Sequence, residues 1–230
     1  MTARPKLGIA DEADVLRRAT VAAGFTLSRL AVLTGGTSSL TYSALGACGE
    51  RVVVKVAPPG LAPVRNRDVL RQARLRAALS AAPEVAVPAV LGCESGTPPQ
   101  APPLFVMSFE PGESYEPLHA GDAPRPSAEQ VLSRAHGAAR MLASLHGVPP
   151  TELGLDEEPL PLEAELGRWR KAFSTCDLAP ALAADEAGCY ERLTAALPAA
   201  VAPAVLHGDW RLGNMQCEGS EIRAVIARRL

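Results

Sequence analysis

The stretch LHGDWRLGN, residues 206–214, decides how this sequence is read. It sets Asp209 and Asn214 five residues apart on one loop. At that spacing a carboxylate can accept the proton of a hydroxyl while an amide oxygen holds a divalent cation against phosphates. His207 is expected to keep the loop in shape by hydrogen bonding, and Val205 and Leu206 to anchor it in a core. Aspartate and asparagine beside glycine also cap ordinary turns, so the loop alone leaves both readings open.

Immediately beyond the loop, MQCEGSEIRAVI reads as a hairpin turning at Glu218, Gly219 and Ser220. Upstream, residues 161–173 and 185–197 have helical composition, and Leu162, Leu166, Trp169 and Phe173 trace one face of the first. The segment PRPSAEQVLSRAHGAARMLASLHGV is the clearest helix. Ser127 and Gln130 have capping-box spacing, and Val131, Ala135, Ala138, Leu142 and Leu145 follow a helical period. Residues 111–125 are rich in proline, glycine and glutamate, a composition shift that marks a hinge.

The first half reads differently. Residues 11–23 form a short helix with acids in its first turn and Gly24 as its stop. Then TLSRLAVL, SSLTYSAL and RVVVKVA are strand-length runs separated by turn residues. Residues 66–79 return to helical composition with Asn66 as the expected N-cap, and VAVPAVLGCE and PLFVMSFE supply two more strand-like runs. Residues 26–110 therefore predict a five-stranded, largely antiparallel sheet with one helix. The class is α+β: an N-lobe over 1–110, a hinge over 111–125 and a helical lobe over 126–230.

Two features of the β-rich half could serve a phosphate-handling loop. Lys55 in VVVKV shares a strand face with Val53 and opposes Val52, Val54 and Val56, so it is buried or faces a cleft. A lone strand lysine is most often an edge guard, but one here could also pair with nucleotide phosphates. In LTGGTSSLTY, Gly35 and Gly36 with Thr37, Ser38 and Ser39 allow backbone to approach a phosphate closely. The order GGTSS, VVVKV, helix, HGDxxxxN is far less expected by accident than any one of these strings.

In LTGGTSSLTY, VVVKV, DVLRQARLRAAL, FVMSFEPGESYEPL, MLASLHGV and VLHGDWRLGN the chain resembles the aminoglycoside phosphotransferase-like branch of the protein-kinase-like fold. It is similar in particular to the kinase-like domain of acyl-CoA dehydrogenase fusion proteins. That resemblance implies a two-lobe fold, ATP and Mg²⁺ as cofactors, and a small-molecule hydroxyl acceptor. It implies Asp209 as catalytic base, Asn214 as magnesium ligand, and Gly35, Gly36, Thr37, Ser38, Ser39 and Lys55 as phosphate-binding residues. Met107, Ser108 and Phe109 would lie against the nucleotide base, and His146 would be structural.

Two departures accompany the resemblance. Gln72 stands where the family places a glutamate against the lysine; Asp68, one turn earlier, is a possible substitute. The family also follows its hairpin with an Asp-x-Asp/Glu element carrying the principal magnesium ligand, then further helices, whereas here Ala227, Arg228, Arg229 and Leu230 follow. The expectation is a phosphotransferase impaired by the loss of that aspartate and those helices. The alternatives are an inactive nucleotide-binding module or a truncated fragment.

Composition narrows the partners. Lys and Arg number 23 against 25 Asp and Glu, a formal net charge of −2 over 230 residues, so no global field recruits nucleic acid or an anionic membrane. No window approaches the ~20 apolar residues of a membrane span. The five cysteines show no C-x-x-C pair and predict a reducing, cytoplasmic setting. Four histidines without metal-ligand spacing give no reason to expect a zinc site.

Overall fold

A computed structural model describes residues 11–33, 39–62, 67–82, 84–98, 100–116, 125–153, 158–199 and 201–226. The described residues fall into two compact units, one within 1–155 and 204–230 and the other within 156–203.

The larger unit opens with helix α1 (Glu12–Ala23). The Asp11 carboxylate accepts the backbone N–H of Ala13 at its start, and Gly24, at φ +77°, closes its end in the left-handed conformation that glycine adopts without strain. Strands β1 (Leu27–Val32), β2 (Leu40–Gly46), β3 (Arg51–Val56), β4 (Val90–Glu94) and β5 (Leu104–Ser108) form one antiparallel sheet in the order β1-β2-β3-β5-β4. The five-stranded sheet expected from residues 26–110 is thus present.

β3 and β5 sit between other strands and read as near-continuous apolar runs because both their faces are covered. On one face Val52, Val54 and Val56 pack with Leu104, Val106 and the α1 residues Val15 and Ala19. On the other, Val53, Phe105 and Met107 pack with Val69 and Ala73 of helix α2 (Val69–Leu79). Val54 and Val56 are wholly buried, and burial of such a side chain contributes about 2 kcal/mol. Lys55 points to the α2 face, as the alternation of strand side chains requires.

α2 begins at Val69, and its N-cap is Asp68, whose carboxylate accepts the backbone N–H of Arg71 at 2.9 Å. The cap expected at Asn66 lies outside the described residues. Asp68 is therefore committed to the helix end. The far side of α2 carries Leu75 and Leu79 into a second core with Leu145 of helix α3 (Ala128–Gly147), Leu153 and Val205. α3 starts in the expected capping box: Ser127 Oγ accepts from Gln130 N at 3.1 Å, and Gln130 Oε1 accepts from Ser127 N at 2.8 Å.

After the loop at 206–214 come strands β6 (Met215–Glu218) and β7 (Glu221–Val225), a hairpin whose turn uses Gly219 at φ +58°. Met215 and Cys217 pack on Ala138 of α3. The smaller unit holds helices α4 (Leu162–Phe173) and α5 (Pro180–Ala195), neither of which has a buried residue. α5 begins five residues before the expected position 185 because Pro180 supplies its first turn, where a proline loses no hydrogen bond. Among the described residues no helix is long and apolar enough to cross a membrane.

Candidate functional site

The loop is built from an extended approach. Val205 is buried, Leu206 is 71% exposed and His207 is 3% exposed, the alternation of an extended chain. Leu206 therefore does not anchor the loop as expected. Val205 alone does so, seated against Leu75, Leu79 and Leu145.

His207 holds the loop as expected. Its Nδ1 accepts the backbone N–H of Asp209 at 3.2 Å, and its ring meets Trp210 edge-on, with centroids 5.2 Å apart. An accepting Nδ1 places the proton of the neutral ring on Nε2. Burial pushes the imidazole below its ordinary proton affinity. The positive charge of Arg76 works in the same direction, while the Asp209 carboxylate opposes it.

Asn214 closes the loop. Its Nδ2 donates to the backbone carbonyl of Asp209 at 2.7 Å, its own N–H bonds to the Arg211 carbonyl, and its carbonyl accepts from Ile226 N at 2.9 Å. The side chain is fully buried, yet Oδ1 has no hydrogen-bond partner. A sealed amide oxygen with its NH₂ already used is a hard oxygen ligand awaiting a donor or a cation. It fits Mg²⁺, which prefers oxygen ligands. Among the described residues no group of three carboxylate, histidine or cysteine side chains could itself hold a metal ion.

Lys55 is 6% exposed and donates from Nζ to Gln72 Oε1 at 2.7 Å. The side chain that α2 presents to the lysine is thus Gln72, not Asp68. One turn along, Arg76 is buried, lies 5.8 Å from the Phe105 ring centroid, and is pulled down to about 10 by burial. One helix therefore carries Gln72 to the sheet lysine and Arg76 to the neighbourhood of His207 in the loop.

Met107 is buried opposite Val53 in the face that holds Lys55. Ser108 Oγ accepts from Ala89 N at 2.9 Å and donates to Glu110 Oε1 at 2.5 Å. Phe109 is covered by the Arg51 guanidinium, 3.7 Å from its ring centroid. Ser39 is buried just before β2, while Gly35, Gly36, Thr37 and Ser38 lie outside the described residues, as do residues 227–230. Of the expected site residues, the structure places Lys55 and Met107 on one sheet face and Asp209 and Asn214 together on the loop.

Sequence reading missed a set of residues that surround Asp209. Arg211 Nε donates to Asp209 Oδ1 at 3.1 Å, and Arg211 Nη1 donates to the Glu116 carboxylate. Glu116 arrives on residues 112–116, which are fastened along the loop and hairpin. Glu113 exchanges backbone bonds with Cys217 at 2.8 and 2.9 Å, and Ser114 Oγ donates to the Gly213 carbonyl at 2.5 Å. Arg134 of α3 ties Glu113 to the Gly219 carbonyl. A Cβ on Gly112 would stand 2.5 Å from the Cys217 carbonyl oxygen, and one on Gly213 would stand 2.5 Å from Glu116 Oε2. Both glycines make room for this strap. The available signal was local: an arginine two residues after the aspartate, and an unassigned acid within FEPGESYEPL.

A lysine on the inner sheet tied to the following helix, with an acid and an amide sharing one later loop, defines the class as a kinase-like fold. The chain belongs to the phosphotransferase enzyme family, whose sequence pattern matches residues 29–226. No curated protein matches the chain. Among solved structures it is similar to a protein from Ralstonia eutropha JMP134 assigned as an aminoglycoside phosphotransferase, at TM-score 0.72 and 20% identity over 95% of this chain; it spans 64% of that protein's length. It is also similar to the macrolide 2'-phosphotransferase MphH of Brachybacterium faecium, at TM-score 0.60 and 22% identity over 92% of this chain and 70% of that one. A third is the aminoglycoside phosphotransferase APH(4)-Ia in ternary complex with ADP and hygromycin B, at TM-score 0.63 and 13% identity over 96% of this chain and 71% of that one. At these identities the likeness establishes the fold.

Proposed function

We propose that the protein transfers the γ-phosphate of ATP to a hydroxyl of a small molecule. The observation that carries this reading is the loop geometry. His207 and Asn214 brace the backbone of Asp209 from both sides, and Asn214 keeps a buried oxygen without a partner. Asp209 takes the proton of the acceptor hydroxyl, whose oxygen then forms a bond to the γ-phosphorus. The bond from that phosphorus to the bridging oxygen breaks, and ADP leaves with the electron pair. Lys55, held by Gln72, binds the remaining phosphates, together with the glycine-rich residues 35–39, and Met107, Ser108 and Phe109 border the base. Asn214 Oδ1 would hold Mg²⁺, which supplies charge against the phosphates when bound.

Solved relatives with ADP and hygromycin B, or with GDP and kanamycin, support a nucleoside triphosphate donor and a small-molecule acceptor. Five free thiols, four of them exposed, suit a reducing cytoplasm. The division into an N-lobe over 1–110, a hinge over 111–125 and a helical lobe over 126–230 belongs to the same reading.

The test pairs calorimetric titration of the purified chain with ATP, with and without Mg²⁺, with a transfer assay over kanamycin, choline, sugars and hydroxyacyl acceptors. Mg²⁺-dependent binding and transfer, with transfer lost and binding kept in Asp209→Asn, is the expected result. Binding without any transfer would instead assign a nucleotide-binding module.

A further inference from the structure

Helix α4 leaves most of an apolar seam uncovered among the described residues. Leu162, Leu166, Trp169 and Phe173 follow one another at spacings of four, three and four, the stagger with which two helices interlock side chains along a shared stripe. Leu166 is half-buried, whereas Leu162, Trp169 and Phe173 are exposed. α5 meets α4 beside this seam, where the Arg170 guanidinium lies over the Tyr190 ring. The indole of Trp169 is prepared for burial, because its N–H is already donated to Glu165 Oε1 at 2.9 Å and would not be orphaned there. Charge is segregated along the same helix. Glu163 and Glu165 occupy its first turn, Arg170 and Lys171 its last. Glu165 pairs with Arg168 inside the helix, but Glu163 and Lys171 make no ion pair among the described residues.

We propose that α4 is a self-association surface, occupied by the α4 of a second copy of this chain packed antiparallel across a two-fold axis. Charge selects that sense. Two copies laid parallel would set acidic turn against acidic turn and basic against basic, with their helix dipoles aligned. Reversed, the acidic first turn of each lies along the basic last turn of the other. With the axis midway along the seam, Leu162 faces the partner's Phe173, Leu166 faces the partner's Trp169, and Glu163 lies beside the partner's Arg170. Two-fold symmetry makes each of these contacts twice and closes the assembly at two chains. Helices of 12 residues, about 18 Å long, form a contact at the small end of specific interfaces, so the dimer is weak and reversible. In dilute protein α4 therefore stays unpaired. Neither the proposal nor its test depends on the phosphotransfer reading.

Sedimentation equilibrium of the full chain over about a hundredfold range of concentration provides the test, with the mass expected to rise from one chain toward two and no further. Trp169→Ala should hold the protein at one chain across the range. Glu163→Lys should weaken association by about tenfold, since two exposed attractive pairs become repulsive. Adding Arg170→Glu to Glu163→Lys in the same chain should restore it. Residues 163 and 170 are two turns apart and do not meet within one helix, and both exchanges oppose the dipole of the isolated helix. Recovery can therefore come only from a partner running the other way. A wild-type mass that stays at one chain at every concentration overturns the proposal and leaves the seam to some other occupant. A dimer indifferent to Trp169→Ala or to Glu163→Lys places the interface elsewhere and overturns it too, as does a double variant that fails to recover.

Discussion

His207 shows how one residue can make a loop sensitive to pH without joining its chemistry. Its Nδ1 must be unprotonated to accept the Asp209 N–H, and its ring is nearly sealed from water. Burial, then the charge of Arg76, favours the neutral ring over the nearby carboxylate's pull toward the cation. The folded-state proton affinity is thus below the ordinary value of 6.5. The unfolded chain binds a proton in the interval where the folded chain does not, so stability falls as pH drops from about 6.5. The stabilisation is fully present above that value and is lost as pH falls through the lower, folded-state value. Denaturant unfolding at pH 7.5, 6.5 and 5.5 checks this: the wild-type free energy should decline across the series. His207→Gln, which removes the titration, should show a shallower decline. Parallel declines would contradict the assignment of this residue as the source.

At the scale of the element, α2 is the part that connects sheet and loop, and its position depends on one cap. Asp68 holds Arg71 N at the start of the helix, and Gln72, the next residue, holds Lys55. Asp68→Ala should destabilise the protein by about 1 kcal/mol, the usual cost of losing an N-cap. The midpoint of urea unfolding should shift down with no change in slope. A larger loss of nucleotide affinity than of stability would further show that fraying this first turn loosens Gln72. The strands and the capping box of α3 were legible in the sequence because they follow local rules: alternation with β-branched residues in β3, and a serine three residues before a glutamine at α3. The cap of α2 was read at Asn66 rather than Asp68 because asparagine and aspartate, two positions apart, satisfy the same local rule. Leu206 was misplaced for a related reason: extended chain alternates, so an apolar residue beside a buried one faces out. Asp209 and Asn214 were legible because their spacing lies within one loop. Arg211 with Glu116 was not, because the two are 95 positions apart and meet only when residues 112–116 are fastened to the hairpin.

Across the whole molecule the two compact units differ in what holds them. In the larger, Val54, Val56, Leu104, Phe105 and Val106 are wholly buried, and α2 contributes Val69 and Ala73 to the core on one face of the sheet and Leu75 and Leu79 to the one it shares with α3. In the smaller, α4 and α5 bury no residue; Trp169 is 52% exposed, Phe173 43% and Leu193 55%. Their mutual support includes the Arg170 guanidinium 4.3 Å from the Tyr190 ring centroid, and α4 carries its own Glu165 to Arg168 pair. Surface pairs of this kind contribute about 1 kcal/mol or less each. Helices of 12 and 16 residues are marginal in water without an apolar face packed against something. α4 and α5 should therefore open locally at far lower free energy than the sheet. Native-state hydrogen exchange read peptide by peptide provides the check. Amides of α4 and α5 should exchange on the order of 100-fold faster than those of β3 and β5, which open only with the larger unit. Adding ATP with Mg²⁺ should slow exchange in β3 and in the loop at 206–214, where the proposed ligand contacts lie. Equal protection in α5 and β3 of the free protein would mean that the smaller unit is held by more than the surface pairs described above.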